Sequence, residues 1–305
     1  MHIETSDKYG CTSLWIASAG GKTDIVRALV CAGADVNTRR YDGVSALTFA
    51  SQEGYIDIVN ILLDNGADVE TRDTQYRTPL FIAAFTGQTD VVRALVSAGA
   101  DVNTQRNDGI SALSVACRVG HIDIVNILLD NGANIETRHN HGHTPLWFAA
   151  VTGRTDVMRA LVSAGADVST QHSEGASALT FASQRGYFDI VNVLLDNGAN
   201  TEYGHNEGRT PLWFAAARGH VHVVNALQKH GADVHVRDND NMQPIDIASY
   251  NGHVDVVQVL THCNSSVMAL RYGNIYPSPS IRTDCHRNSA LHLTTDLTRS
   301  SAMRG

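Results

Sequence analysis

The chain has 305 residues, of which 43% are hydrophobic, and it carries a formal net charge of −8 at pH 7. No stretch approaches the ~20 consecutive apolar residues that a membrane helix needs, so we expect no membrane insertion. The first residues lack the basic-then-apolar pattern of a secretory signal, and the five cysteines form no CxxC pair. We therefore expect reduced thiols and a protein of the cytoplasm or the nucleus.

The charge is unevenly distributed along the chain. Five arginines and two aspartates give residues 264–305 a net charge of +3, which leaves −11 to the residues before them. A surface that acidic repels phosphate backbones, so we expect no direct binding of nucleic acid. Basic or neutral protein surfaces suit it better.

The chain begins inside a repeating pattern, because residues 2–5 read like residues 134–137, the end of a later unit. Terminal units of a repeat array normally carry a polar outer face. We expect either that the array continues upstream of Met1 or that something covers the outer face of the first unit.

Three ladders of residues recur at a fixed spacing of 33. The first is apolar: Leu14, Leu47, Leu80, Leu113, Leu146, Leu179, Leu212 and Ile245. The second consists of Ala17, Ala50, Ala83, Ala116, Ala149, Ala182, Ala215 and Ala248, and the third of Gly21, Gly54, Gly87, Gly120, Gly153, Gly186, Gly219 and Gly252. Coincident ladders of this length indicate an internal repeat.

One copy shows what each unit builds. Thr144 can cap a helix through its hydroxyl, and Pro145 suits the first helical position, where its missing N–H costs nothing. Leu146 belongs to the buried face of that helix, and Gly153 ends it. A second helix follows, with Gly165 at its end. Such a unit is too short to bury its own apolar face, so the copies must stack.

A helix-pair unit of 33 residues with a Thr-Pro-Leu-x-x-Ala core resembles the ankyrin repeat, and the resemblance covers about residues 2–263. It implies an all-α solenoid of about eight helix-turn-helix units with short β-hairpin fingers. The family usually carries histidine after Thr-Pro-Leu, so a network built on that histidine is not expected here. The residues in its place are Trp15, Thr48, Phe81, Ser114, Trp147, Thr180, Trp213 and Asp246.

The aromatic residues at that place, such as Trp147 and Trp213, are expected to pack between repeats, with partly exposed binding anchors as the alternative. We expect a repeat domain at 1–264 and a flexible, disordered tail at 265–305. The repeats are expected near 7–39, 40–72, 73–105, 106–138, 139–171, 172–204, 205–237 and 238–264.

No pattern of catalytic residues is found, and aspartates or asparagines that recur every 33 residues suit turns better than catalysis. We therefore expect no enzyme and no cofactor. Among the 15 histidines, His139, His172 and His205 are 33 apart. A repeat step of about 10 Å cannot bring three of them onto one zinc ion at about 2 Å. We expect no metal site and structural or solvated histidines, with a pH-sensitive contact as the alternative.

The predicted shape favours binding of another protein. Eight stacked units span roughly 70–80 Å and present an extended concave surface, which suits a partner surface or peptide better than a small substrate. The resemblance implies a scaffold, adaptor or inhibitor, and we expect a monomer. The alternative is a non-catalytic fragment of a longer multidomain protein, linked to an enzyme or joining membrane and cytoskeleton.

The resemblance places most partner contacts on the fingertips and on the exposed face of each first helix. The side chains that differ most between copies lie there, and we expect them to bind the partner: Tyr41, Asp42, Gln52, Glu53, Arg77, Phe85, Asp108, Arg118, His141, His143, Val151, Glu174, Arg185, Glu207, Arg209, Arg218 and Tyr250. The resemblance also marks Asn37 and Asn103 as candidates for hydroxylation. A turn residue that bonds to the backbone is the other interpretation of both asparagines.

Overall fold

A computed structural model of the chain describes residues 3–262, and the predicted tail at 265–305 lies outside these residues. The described part contains sixteen helices in eight pairs. The first helices of the pairs are Ser13–Ala19 (α1), Ala46–Glu53 (α3), Pro79–Thr86 (α5), Ala112–Val119 (α7), Pro145–Thr152 (α9), Ala178–Arg185 (α11), Pro211–Ala217 (α13) and Pro244–Tyr250 (α15). The second helices are Thr23–Cys31 (α2), Ile56–Asp64 (α4), Thr89–Ser97 (α6), Ile122–Asp130 (α8), Thr155–Ser163 (α10), Phe188–Asp196 (α12), Val221–Lys229 (α14) and Val254–His262 (α16).

The first helices begin and end as the sequence predicts. Thr144 caps α9, since its Oγ1 accepts the backbone N–H of Trp147 at 3.3 Å. Pro145 occupies the first turn, and Gly153 ends α9 with a φ of +72°. Serine or threonine caps α1, α3, α5, α7, α11 and α13 in the same way. The caps satisfy backbone donors that have no partner inside the helix.

The core runs between two rows of helices. Each first helix packs on the next first helix and on its own partner, and the second helices pack on one another. The seven leucines of the apolar ladder are buried, with Leu146 1% exposed, and so is the alanine ladder, whereas Ile245 is half-buried. Val157 and Met158 of α10 are 0% exposed. The predicted all-α stack of helix pairs is confirmed.

Helices α1 and α2 leave one apolar face uncovered. Ile25 is 53% exposed, whereas its counterparts Ile58 and Ile124 in later pairs are 1% and 0% exposed. Ile16 on α1 is 54% exposed. No helix pair among residues 3–262 lies on that side, so side chains of core type meet solvent there.

The fingers before the first helices reverse direction with less strand pairing than a hairpin. Among residues 3–262 there is no strand, and four isolated antiparallel bridges occur. They pair Ser6 with Thr12, Arg39 with Ser45, Gln105 with Ser111, and Gln171 with Ser177. In the other four fingers the residue after the bridging position is proline, as at Pro145, which has no N–H to complete such a pair. The expected short β-hairpins are therefore tight turns.

Candidate functional site

We define a finger as the eight residues that end at the residue preceding each first helix. Fingers 1 to 8 are thus residues 5–12, 38–45, 71–78, 104–111, 137–144, 170–177, 203–210 and 236–243. Backbone hydrogen bonds join the neighbouring tips of fingers 1 to 3 and those of fingers 4 to 8. Tyr41 N–H donates to the Tyr9 carbonyl at 3.2 Å, and Ser173 N–H donates to that of His141 at 3.2 Å. The tips therefore form a row of neighbouring side chains.

The carboxylate of Asp73 stabilises the turn of finger 3. Asp73 is 5% exposed, and its Oδ1 accepts the backbone N–H groups of Gln75 and Arg77, both at 2.9 Å. Its Oδ2 pairs with Nε of Arg77 at 2.6 Å. The finger is rigid because one buried side chain satisfies two backbone donors and a guanidinium at once.

The structure divides the predicted partner-binding residues by exposure. Six are exposed: Tyr41, His141, Glu174, Arg185, Arg218 and Tyr250. Ten are half-buried: Asp42, Gln52, Glu53, Arg77, Phe85, Asp108, Arg118, Val151, Glu207 and Arg209. Tyr41, at 77%, is the most exposed large apolar or aromatic side chain among the described residues.

Several of the half-buried charges are already paired inside the protein. Arg209 forms ion pairs with Glu207, Asp238 and Asp240, and its guanidinium lies 4.7 Å from the centre of the Trp213 ring. Arg77 is held by Asp73 in the same way. Asp42 and Asp108 pair with arginines of their own fingers, Arg40 and Arg106. These groups shape the fingers, and a partner would have to compete for them.

The expectation that His143 is an exposed fingertip residue is wrong. It is 5% exposed, and its ring stacks on that of Trp147 with centroids 3.6 Å apart and planes 4° apart. Burial, with smaller contributions from the neighbouring His172, His139 and His141, lowers the pKa of His143 to about 3. The imidazole is thus a neutral part of the core.

Trp147 and the other aromatic residues at its place in the repeat are also buried. Trp15, Phe81, Trp147 and Trp213 are 8%, 3%, 6% and 9% exposed. Trp15 and Trp147 contact Phe49 and Phe181 of the next repeat, with ring centroids 5.2 and 5.8 Å apart, so the predicted packing between repeats is confirmed for these two rings. None of the four rings is an exposed anchor. Similarly, His220 and His253 bond to carbonyls of the preceding repeat at 3.2 and 3.1 Å, which makes them structural histidines.

Two arginines on the first helices differ in environment. Arg185 at the end of α11 is exposed and lies 5.3 Å from the ring centre of Phe181. Arg118 at the end of α7 is half-buried, and burial lowers the pKa of its guanidinium, with Arg106 adding to the effect and Asp108 opposing it. Arg185 is therefore the freer of the two to meet a partner.

Two exposed tyrosines at the tips were not among the predicted residues. Tyr9 is 58% exposed and Tyr76 is 47% exposed. Tyr76 has a φ of +59°, and the same place in most other fingers holds glycine, as at Gly43 and Gly109. The sequence signal that could have identified Tyr76 was a tyrosine in place of the glycine that recurs at most fingertips.

The two asparagines marked for hydroxylation hold neighbouring repeats together. Asn37 Nδ2 donates to the Gly66 carbonyl at 3.1 Å, and Asn37 Oδ1 accepts the Asp68 N–H at 2.7 Å. Asn103 makes the same two bonds, to Gly132 at 3.2 Å and from Asn134 at 2.7 Å. Their interpretation as turn residues that bond to the backbone is supported.

A sequence model of ankyrin repeats matches residues 1–73, 71–139, 136–205 and 179–270. The chain belongs to the ankyrin repeat family. A search of curated proteins finds no match. Ankyrin repeats are generally protein-interaction modules and are typically non-catalytic.

Within residues 3–262 of this ankyrin repeat protein, no three His, Cys, Asp or Glu side chains are placed to hold a metal ion. No helix in the same range is long and apolar enough to cross a membrane.

Proposed function

We propose that this ankyrin repeat protein binds another protein through its fingertips and the exposed faces of its first helices, as a scaffold, adaptor or inhibitor. The observation that carries the proposal is the row of tips, whose backbones are hydrogen-bonded to one another in fingers 1 to 3 and again in fingers 4 to 8. The row places exposed aromatic and charged side chains on successive fingers, from Tyr41 to Glu174. Tyrosine and arginine often dominate the binding energy of protein interfaces.

The charge of the chain indicates which kind of partner surface it attracts. The net charge is −8, and exposed carboxylates such as Glu174 lie in the row. An acidic surface attracts basic partners and speeds their association. We therefore infer a partner with a neutral or basic face. A role as the repeat part of a longer multidomain protein would use the same surface and stays the second candidate.

Affinity capture with cross-linking tests the proposal. The intact chain is immobilised and exposed to cell extract, and the captured proteins are cross-linked to it and identified by mass spectrometry. We expect a specific partner whose cross-links fall on the fingers and on first helices such as α11. Cross-links confined to second helices would move the site to the opposite face. Capture no better than by an unrelated acidic protein would argue against protein binding.

A further inference from the structure

In six of the eight fingers one position supplies a side-chain acceptor for the turn, whereas fingers 2 and 4 carry Arg40 and Arg106 there. In fingers 1 and 8 this residue is Asp7 or Asp238, and in finger 3 it is Asp73. Oδ1 of Asp7 accepts the N–H groups of the residues two and four places on at 2.8 and 2.9 Å, and Oδ1 of Asp238 does so at 3.1 and 2.8 Å. A carboxylate keeps this acceptor at any pH well above its own pKa.

The same position is histidine in fingers 5, 6 and 7. Nδ1 of His139 accepts the N–H of His141 at 3.3 Å. Nδ1 of His172 accepts that of Glu174 at 3.1 Å, and Nδ1 of His205 accepts that of Glu207 at 3.4 Å. Each imidazole must therefore be neutral, with its hydrogen on Nε2. Three consecutive fingers use an acceptor that acid can remove.

We propose that His139, His172 and His205 form an acid-sensitive switch in fingers 5 to 7. An imidazolium carries N–H on both ring nitrogens, so a protonated ring would point a donor at a backbone donor. The turn hydrogen bond is then lost and the tip rearranges. Histidine is the side chain whose charge changes nearest to neutral pH.

The released backbone groups belong to the candidate binding surface. His141, Glu174 and Glu207 are the residues whose N–H groups lose their acceptor, and all three are predicted partner-binding residues. Their carbonyls also accept the N–H groups of the next tips, at 3.2, 3.1 and 2.9 Å. A change in one finger therefore reaches the next, and acid would alter this part of the surface as a unit. That consequence for binding rests on the proposed function.

The groups around each ring set the direction of its titration. His139 faces Asp108, Arg106, Arg118, His141 and His143, and burial lowers its pKa below the usual range. His172 faces Glu174, His205, His141 and His143, and burial lowers its pKa also. Nε2 of His205 lies 3.6 Å from Oε2 of Glu174, which would pair with the imidazolium. The protonation of His139 and His172 therefore lies on the acid side of neutrality, and Glu174 favours the charged form of His172.

The same geometry disfavours a metal at these rings. A neutral imidazole that binds a metal through Nε2 carries its hydrogen on Nδ1. It then cannot accept the backbone N–H that each of these rings accepts here. Proton uptake is the chemistry that fits.

An NMR titration of the intact chain tests the switch without any partner, so its failure is separate from a failure of the proposed function. Backbone amide shifts are followed from about pH 7.5 to about pH 5, the range in which histidine titrates. We expect the amides of His141, Glu174 and Glu207 to move together as the pH falls. The amides of Tyr9 and Gln75, which bond to aspartate, serve as internal controls and should stay constant.

The chain itself suggests the matched variant. Replacing His139, His172 and His205 by aspartate gives fingers 5 to 7 the acceptor of fingers 1, 3 and 8, and the three amide titrations should disappear. Should the triple variant not fold, His172→Asp alone, at a half-buried site, provides the test. It should remove the pH dependence of the Glu174 amide shift. Tip amides that do not move in the wild type, or that still titrate in folded aspartate variants, would overturn the proposal.

Discussion

The helix pairs and the fingers recur with the same period, but different interactions hold them in shape. From copy to copy the helices keep their leucine and alanine ladders, because each side chain must fill the same space between neighbours. The fingers keep one turn but change the side chain that bonds to it, from Asp73 to His172. Packing fixes the helices, whereas in six of the eight fingers a side-chain hydrogen-bond acceptor supports the turn. The remaining tip side chains are free to serve recognition.

The largest effect is expected in the helix ladder. Leu146→Ala removes a side chain that is 1% exposed and should lower the free energy of unfolding by about 2–5 kcal/mol. Thr144→Ala, at the cap of the same helix, should cost about 1 kcal/mol. Urea denaturation of both variants ranks them. A milder effect for Leu146→Ala would show that stability does not reside mainly in the ladders.

An intermediate effect is expected from acid. The pKa of His143 is lowered from 6.5 to about 3, so the unfolded chain takes up this proton first as the pH falls. The stability is fully present above pH 6.5 and falls as the pH drops from 6.5 towards 3, by about 1.4 kcal/mol per pH unit for this one proton.

Denaturation midpoints at several pH values measure this slope. His143→Phe should flatten it, since the ring that stacks on Trp147 no longer titrates. His222→Phe, at an exposed position on α14, is the control for the loss of an imidazole. Equal slopes in the two variants would contradict the role of His143.

A small gain in stability is expected at one fingertip. Tyr76 has a φ of +59°, a conformation that costs a residue with a side chain about 1–2 kcal/mol. Tyr76→Gly should therefore raise the free energy of unfolding by about 1 kcal/mol. Gly109→Ala is the matched opposite, because its Cβ would lie 2.7 Å from the Arg138 carbonyl oxygen and should destabilise the protein. A loss of stability in Tyr76→Gly would mean that the tyrosine ring packs usefully in the finger.

The sequence predicts the helices well because their signals are local and recur eight times. The cap at Thr144 and the left-handed glycine at Gly153 depend only on residues a few places away. The environment of Arg209 could not be predicted in this way, since its partners Asp238 and Asp240 belong to the next finger. The fold can thus be predicted from the periodic pattern, whereas ion pairs between fingers cannot.

The burial of His143 shows the same limit within one finger. His139, His141 and His143 alternate in the sequence, which gives no hint that one of them stacks on Trp147. His139 and His143 are 8% and 5% exposed, whereas His141 is exposed. Exposure at the tips therefore had to come from the structure.

One comparison tests the central claim that recognition lies on the fingers and first helices. Arg185→Ala removes an exposed guanidinium from α11, and Arg159→Ala makes the same change on the exposed side of the second helix α10. Both should leave the melting temperature unchanged. Quantitative capture of the partner by the two variants should show a loss of at least about fivefold for Arg185→Ala, the effect of about 1 kcal/mol at an interface, and no loss for Arg159→Ala. Full binding by Arg185→Ala with loss in Arg159→Ala would place the partner on the opposite face and contradict the account.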